Sequence, residues 1–60
     1  MKAIYLLMYE YDKFPDYDSI ILKAFLTEEP AKIRAEELAA EEKNQYVSYY
    51  VTSVELEETK

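Results

Sequence analysis

The stretch from Thr27 to Asn44, TEEPAKIRAEELAAEEKN, is the only segment with helical periodicity, and it decides the fold. Its start carries helix N-terminal signals: Thr27 can cap the helix through its hydroxyl, two acidic residues follow, and Pro30 falls in the first turn, where no intrahelical donor is needed. Its end is marked by Asn44, because asparagine tolerates the left-handed conformation that terminates many helices. The segment is therefore predicted to be one α-helix, and the sequence on either side of it indicates β-strands.

The predicted helix has two apolar faces of unequal size. At 100° per residue, the larger face is built mostly from alanine. It consists of Ala31, Ala35, Leu38 and Ala39. Such small side chains let the helix lie close to a sheet and leave room for large side chains from below. Ile33 and Ala40 lie nearly opposite, where they either face solvent or contact a second chain.

The segment Lys2–Tyr11, KAIYLLMYEY, is predicted to be a strand with two apolar faces. Side chains alternate along a strand, so Ile4, Leu6 and Met8 share one face. The other face carries Ala3, Tyr5, Leu7, Tyr9 and Tyr11. A strand of this kind belongs in the middle of a sheet that is covered on both sides. The aliphatic face suits the helix, which leaves the tyrosine-rich face in need of another cover.

Two further segments are predicted to be strands: Ser19–Leu26, SIILKAFL, and Tyr46–Glu57, YVSYYVTSVELE. The apolar alternation of the second changes parity midway, which predicts either a β-bulge near Thr52 and Ser53 or a strand with two apolar faces. The connection Asp12–Asp18, DKFPDYD, lacks the Asn-Gly or Asp-Gly pair of a tight hairpin. It is predicted to be a longer loop with a polar rim.

The order of these elements predicts an α+β fold of ββαβ topology, in a single small domain spanning residues 1–60. The first two strands are antiparallel neighbours, and the helix returns the chain so that the third strand runs parallel to the second. A right-handed crossover can skip a strand, so the third strand pairs with the free side of the first. The predicted sheet is therefore three-stranded and antiparallel, of order 2-1-3, with the helix on one face.

Composition limits the classes of partner. The chain has 13 acidic and 7 basic residues, and its net charge of −6 disfavours nucleic acid and anionic membrane surfaces as partners. No segment has the length of a membrane span, and none resembles a signal peptide, so the cytoplasm is the expected location. Seven tyrosines in sixty residues are many, and tyrosine is enriched at protein interfaces.

Catalysis is not expected. The chain has no histidine and no cysteine, which removes the commonest acid–base groups and nucleophiles and also a zinc site. Ser19, Ser48 and Ser53 have no evident base beside them, and the absence of glycine excludes loops that cradle phosphate. No catalytic, cofactor-binding or metal-binding residue is therefore assigned, and no cofactor is expected.

A homodimer is predicted from the uncovered sheet face. Left in water, the tyrosine-rich face would be a larger apolar patch than soluble monomers usually expose. A two-fold axis would let this face cover itself and would add the core that a short chain without disulfide or zinc lacks. The predicted dimer interface comprises Tyr5, Leu7, Tyr9, Tyr11, Ile21, Phe25 and Tyr49. Contacts through Ile33 and Ala40, or between strand edges, are alternatives that leave the tyrosines uncovered.

The connection between the first two strands is predicted to bind a partner through Phe14, Asp16, Tyr17 and Asp18. Aromatic side chains on such a loop are candidate hot spots, worth about 2 kcal/mol or more each. Alternatively, Phe14 and Tyr17 fold back and cap the end of the sheet. The two aspartates could also join Asp12 around Ca²⁺ or Mg²⁺, but their spacing matches no calcium-binding loop, so a solvated acidic loop is favoured.

Three segments carry a resemblance to known proteins: YLLMYEY at Tyr5–Tyr11, TEEPAKIRAEEL at Thr27–Leu38 and YVTSVELEE at Tyr50–Glu58. With them the chain resembles the small uncharacterised ββαβ proteins of phages and prophages, and among these the short anti-defence inhibitors such as the inhibitor of the Hachiman defence system. The resemblance implies a phage-encoded protein in the host cell cytoplasm that binds and disables a host antiviral defence protein.

Two alternatives stay open at this stage. The chain could be an antitoxin-like or regulatory partner of an enzyme. Its carboxylates could also imitate a nucleic-acid backbone and occupy a basic groove on a partner, although a charge of −6 is also ordinary for solubility.

Overall fold

The computed structural model describes residues 2–56, which form a three-stranded sheet and a single helix. The elements in chain order are β1 (Lys2–Lys13), β2 (Asp16–Phe25), α1 (Glu28–Glu41) and β3 (Val47–Leu56). Both strand pairs are antiparallel and the sheet order is β2-β1-β3, with the apolar β1 in the centre. The predicted α+β fold of ββαβ topology is confirmed. Glu57, the predicted end of the third strand, lies outside the described residues.

The register along β3 is regular, and the irregularity lies in β2. The β1–β3 pairing runs unbroken from Lys2 opposite Leu56 to Tyr11 opposite Val47. Of the two alternatives predicted for β3, the bulge is therefore absent and the strand with two apolar faces is observed. In the β1–β2 pairing, Leu7 lies opposite Lys23 but Met8 lies opposite Ile21, which leaves Leu22 as an extra residue. Such a bulge reverses the face of every residue beyond it.

The helix starts and ends by means other than those predicted. Thr27 is the N-cap residue, but its side chain makes no capping hydrogen bond, so the helix start relies on Glu28, Glu29 and the alignment of their charges with the helix dipole. At the other end, Glu42 leaves the helix in an extended conformation with φ −77° and ψ 130°. No residue of the described chain has positive φ, so the left-handed stop predicted at Asn44 is wrong.

Asn44 instead begins the turn into β3. Its side-chain Oδ1 accepts a hydrogen bond from the Tyr46 backbone N–H at 2.9 Å, and its carbonyl accepts one from the Val47 N–H at 3.1 Å. The Asn44 N–H in turn donates to the Glu42 carboxylate at 3.1 Å. A short polar side chain that bonds the backbone two residues ahead is a common way to build such a turn.

The helix packs on the sheet through its alanine face, as predicted. Ala31 and Ala35 are buried and Leu38 is half-buried, whereas Ala39 at the margin of that face is exposed. Ile33 lies on the far side and is 48 % exposed. The narrow, small-residue contact brings the helix close to the sheet, so large side chains of the sheet must fill the space beneath it.

The helix covers the tyrosine-rich face of β1, whereas the aliphatic face was predicted to receive it. Leu7 is only 2 % exposed, its partner Val51 lies beside helical side chains, and the Tyr49 hydroxyl reaches Glu42 just beyond the helix. The prediction is wrong because tyrosine can fill a cavity with its ring while its hydroxyl reaches the rim. Alanines on the helix leave the room that those rings need.

The connection between β1 and β2 is a two-residue turn and not the longer loop that was predicted. β1 continues to Lys13 and β2 begins at Asp16, so only Phe14 and Pro15 connect them, through a cis peptide bond. Turns with a cis proline form a recognised class that needs no glycine. The sheet therefore extends as a long hairpin, and the molecule is flat, with extents of 43 × 26 × 11 Å.

Candidate interaction surface

The sheet face opposite the helix carries a group of apolar side chains that no other element of the described chain covers. Cross-strand partners share a face, so the aliphatic residues of β1 lie beside those even-numbered residues of β3 that pair with them. We call this surface the open face; it comprises Ile4, Leu6, Met8, Ile21, Tyr50 and Val54. Ile21 is 58 % exposed and Val54 is 40 % exposed, and no element within residues 2–56 packs on them. A surface of this kind is typical of protein–protein contacts.

One end of the open face is polar and is organised by Glu10. The Tyr17 hydroxyl donates to Glu10 Oε2 at 2.6 Å, and the Ser48 hydroxyl lies 3.5 Å from Oε1. The hydrogen bond to the carboxylate raises the pKa of the Tyr17 hydroxyl, because it favours the protonated phenol. Glu10 thus joins all three strands, since Tyr17 belongs to β2 and Ser48 to β3.

A second tyrosine–glutamate pair lies on the helix-covered face. The Tyr49 hydroxyl donates to Glu42 Oε1 at 2.6 Å, and the Tyr49 ring meets the Tyr9 ring edge-on with centroids 5.8 Å apart. The hydrogen bond raises the pKa of Tyr49 to about 12. The same bond, together with the Asn44 backbone N–H, lowers the pKa of the Glu42 carboxyl. The pair ties the end of the helix to β3.

The structure separates the residues predicted to form the dimer interface. Six of them lie on the helix-covered face: Tyr5, Leu7, Tyr9, Tyr11, Phe25 and Tyr49. Ile21 lies on the open face, because the bulge at Leu22 reverses its direction relative to Phe25. Leu7 is buried beneath the chain's own helix and has no surface left for a partner. The uncovered face on which the dimer prediction depends is the open face.

The residues predicted to bind a partner near the turn point in different directions. Phe14 at the turn is 94 % exposed, so it does not fold back onto the end of the sheet. Tyr17 lies opposite Asp12 and shares the side of Glu10, to which it is bonded, whereas Asp16 and Asp18 alternate to the other side. Their role in binding stays a prediction.

A groove runs between the helix and β3. It has a volume of about 250 Å³ and is open to solvent. Its walls are formed by Glu28, Lys32, Ala35, Glu36 and Val51. The helical members recur every three or four residues and so lie on one side of α1, and Val51 is the sheet residue below them. Sequence reasoning missed this groove, because its position depends on which face of the sheet the helix covers.

The described chain has no cluster of metal-ligating side chains. Among residues 2–56, no three acidic side chains lie close enough together to hold a metal ion, and Asp12, Asp16 and Asp18 are not brought together. No helix in this part of the chain has the length and apolar character needed to cross a membrane.

Comparison with known proteins gives no match. No protein-family model fits the chain, and neither the curated proteins nor the solved structures contain one that resembles it significantly.

Proposed function

We propose that this chain is a non-catalytic, homodimeric protein-binding module that inhibits a host antiviral defence protein. The observation that carries the proposal is the open face, a contiguous apolar surface on a fold whose own helix covers only the opposite side. Binding of another protein surface uses such a face without requiring any catalytic group.

The surface area of the chain supports the dimer. The chain exposes 5000 Å², whereas a compact monomer of its mass, 7.1 kDa, exposes about 4,100 Å². In a molecule this flat much of the surface belongs to the two sides of the sheet, and a stable protein–protein interface needs about 800 Å² from each partner. The only buried apolar residues in the described chain are Leu7, Ala31 and Ala35, so a second copy on the open face would also enlarge a very small core.

The oligomeric state tests this part of the proposal. We expect light scattering at micromolar concentration to give twice the mass of one chain for the wild type. Val54→Asp should give the mass of one chain, because it places a charge within the apolar surface that the dimer would bury. Ile33→Asp is the matched control, since Ile33 is similarly exposed but lies on the outer side of the helix. A monomeric wild type contradicts the dimer, and a monomer produced only by Ile33→Asp moves the interface to the helix.

The resemblance to phage anti-defence inhibitors supports the choice of target. We expect expression of the chain to restore phage plating on bacteria that carry a Hachiman system, with no effect on cells that lack it. Affinity capture with the wild type and Val54→Asp then identifies the bound protein. Capture of a toxin or a metabolic enzyme in place of a defence protein would favour the antitoxin-like or regulatory alternative.

A further inference from the structure

The two edges of the sheet differ in their readiness to accept another strand. The β2 edge is interrupted by the bulge at Leu22 and carries Lys23, and both features discourage strand addition. The β3 edge runs for ten residues, Val47–Leu56, in unbroken register and contains neither proline nor lysine. A long regular edge of this kind is a template for pairing with an extended chain.

The hydrogen bonds around β3 show which of its backbone groups point outward. The Asp12 N–H donates to the Tyr46 carbonyl, so these two residues form a hydrogen-bonded pair of the β1–β3 ladder. Such pairs alternate with non-bonded ones in antiparallel sheets. The residues whose N–H and C=O groups face away from β1 are therefore Tyr49, Val51, Ser53 and Glu55. None of these groups has a backbone partner beyond the ladder within the described chain.

The groove between α1 and β3 adjoins this strand, because Val51 is the sheet residue that lines it. Its floor is formed by Ala35 and Val51, both apolar and small, and its rim carries the carboxylates of Glu28 and Glu36 with the ammonium of Lys32. A strand added to β3 would point alternate side chains toward this groove, because cross-strand partners share a face. The edge and the groove thus form one continuous surface.

We propose that the β3 edge binds an extended segment of another protein, which adds a strand to the sheet and places an aliphatic side chain over Val51 with basic residues on either side. The small apolar floor selects the aliphatic residue. The two carboxylates of the rim outnumber its single ammonium, so they select basic neighbours two residues away on each side. This inference rests on the proposed protein-binding function and supplies the kind of segment that the target contributes.

Charge favours such a segment over a second copy at this edge. Pairing two β3 strands about a two-fold axis would bring the two helices together on the same side of the sheet. Glu28 and Glu36 would then face the same residues of a chain that also carries a net charge of −6. Like charges at close approach oppose that arrangement.

A peptide titration tests the proposal. The probe is the seven-residue peptide Thr-Lys-Thr-Val-Thr-Lys-Thr, added to isotopically labelled protein and followed by amide NMR. We expect saturable shift changes at Tyr49, Val51, Ser53 and Glu55, and slower amide exchange at those four positions. The same peptide with N-methylated valine should bind at least tenfold more weakly, because the methyl group removes a ladder hydrogen bond.

Charge reversal on the helix tests the stated chemistry. We expect the double variant Glu28→Lys and Glu36→Lys to weaken binding of the lysine peptide about tenfold and to bind a peptide with glutamates in place of its lysines. Glu41→Lys is the control for each single substitution, since it reverses one charge on an exposed part of the helix that does not line the groove. It should change the affinity less than twofold.

Three results would overturn the proposal. The first is an absence of saturable shifts up to millimolar peptide, and the second is shifts that map to β2 or to the open face. The third is concentration-dependent shifts at the β3 edge without peptide, which would assign the edge to a second copy. Light scattering tests the dimer through the open face separately. A protein that dimerises but does not bind the peptide would therefore contradict only the proposal for the β3 edge.

Discussion

Leu6 and Leu7 are identical neighbours in the central strand, yet they serve opposite faces of the sheet. Leu7 is 2 % exposed beneath the alanines of the helix, whereas Leu6 lies in the open face and stays half-buried. The strand therefore supplies the same apolar chemistry to both sides, but the chain covers only one of them. This contrast separates the residues that hold one chain together from those available to a partner.

Replacing each leucine by alanine tests that separation and should give the largest effect on stability. We expect Leu7→Ala to lower the free energy of unfolding by about 2–5 kcal/mol, because it leaves a cavity under the helix. That loss is enough to unfold a domain this small. Leu6→Ala should cost much less in the isolated chain. Urea denaturation monitored by circular dichroism measures both, and equal losses at all protein concentrations would contradict the assignment of the faces.

The contrast sharpens if the open face is a dimer interface. Leu6→Ala should then lose more stability at high protein concentration, where the wild type gains from dimerisation. The stability lost in Leu7→Ala should be the same at low and high protein concentration, because Leu7 lies under the helix and not in the open face. The concentration dependence thus distinguishes a core residue from an interface residue of the same type.

Overfilling the helix contact should give the next largest effect. Ala31 is fully buried between helix and sheet, and Ala31→Leu inserts three carbon atoms into that contact. We expect a loss of about 1–3 kcal/mol in the free energy of unfolding. Ala40→Leu is the control, because Ala40 is exposed on the same helix and leucine suits a helix nearly as well as alanine. Similar costs for the two variants would mean that Ala31 is not the contact residue.

The two tyrosine–glutamate hydrogen bonds provide a smaller test of the same comparison. Both measure 2.6 Å, but Tyr49–Glu42 joins β3 to the end of the helix, whereas Tyr17–Glu10 lies within the β1–β2 hairpin on the exposed side. We expect Tyr49→Phe to lower the melting temperature more than Tyr17→Phe, and less than either core substitution. The reverse order would place the stabilising contact on the open face.

The Tyr49–Glu42 bond also predicts a pH dependence. The pKa of Tyr49 rises from 10.0 to about 12 on folding, so its contribution to stability is complete below pH 10 and is lost as the pH rises toward 12. The pKa of Glu42 falls below 4.5, so its contribution is present above that pH and is lost in more acidic solution. The difference in denaturation midpoint between wild type and Tyr49→Phe should therefore shrink at both extremes. A difference that is constant with pH would contradict the pairing.

The fold was predictable from the sequence because its strongest signals agree. Two apolar faces on one strand require a central position, and one helix between the second and third strands then fixes the order of the sheet. The alanine face of the helix followed from its spacing, and Ala31 and Ala35 are indeed buried. The face of the sheet that receives the helix was not predictable in the same way. The alternation of side chains along a strand sorts them into two faces, but it does not say which face the helix covers.

The sequence predicted that an apolar interaction surface exists, but not which residues form it. An uncovered apolar face followed from having one helix for a sheet with two apolar faces, but its members changed once the helix was placed on the tyrosines. Ile21 changed face because of a bulge at Leu22, and a run of consecutive aliphatic residues contains no signal for its position. The β3 groove combines residues of helix and strand, so its position requires the tertiary packing.

A substitution in the turn between β1 and β2 should have the smallest effect on stability. Phe14 is 94 % exposed beside Pro15, so Phe14→Ala should change the melting temperature little, by the equivalent of about 0.5 kcal/mol or less. An exposed aromatic ring at the tip of a long hairpin contributes to binding only if a partner covers it. Differential scanning calorimetry checks the first expectation, and the affinity for a captured target checks the second. A sharp fall in melting temperature would mean that the ring packs on the sheet after all, whereas unchanged stability with weakened binding would extend the interaction surface to the turn.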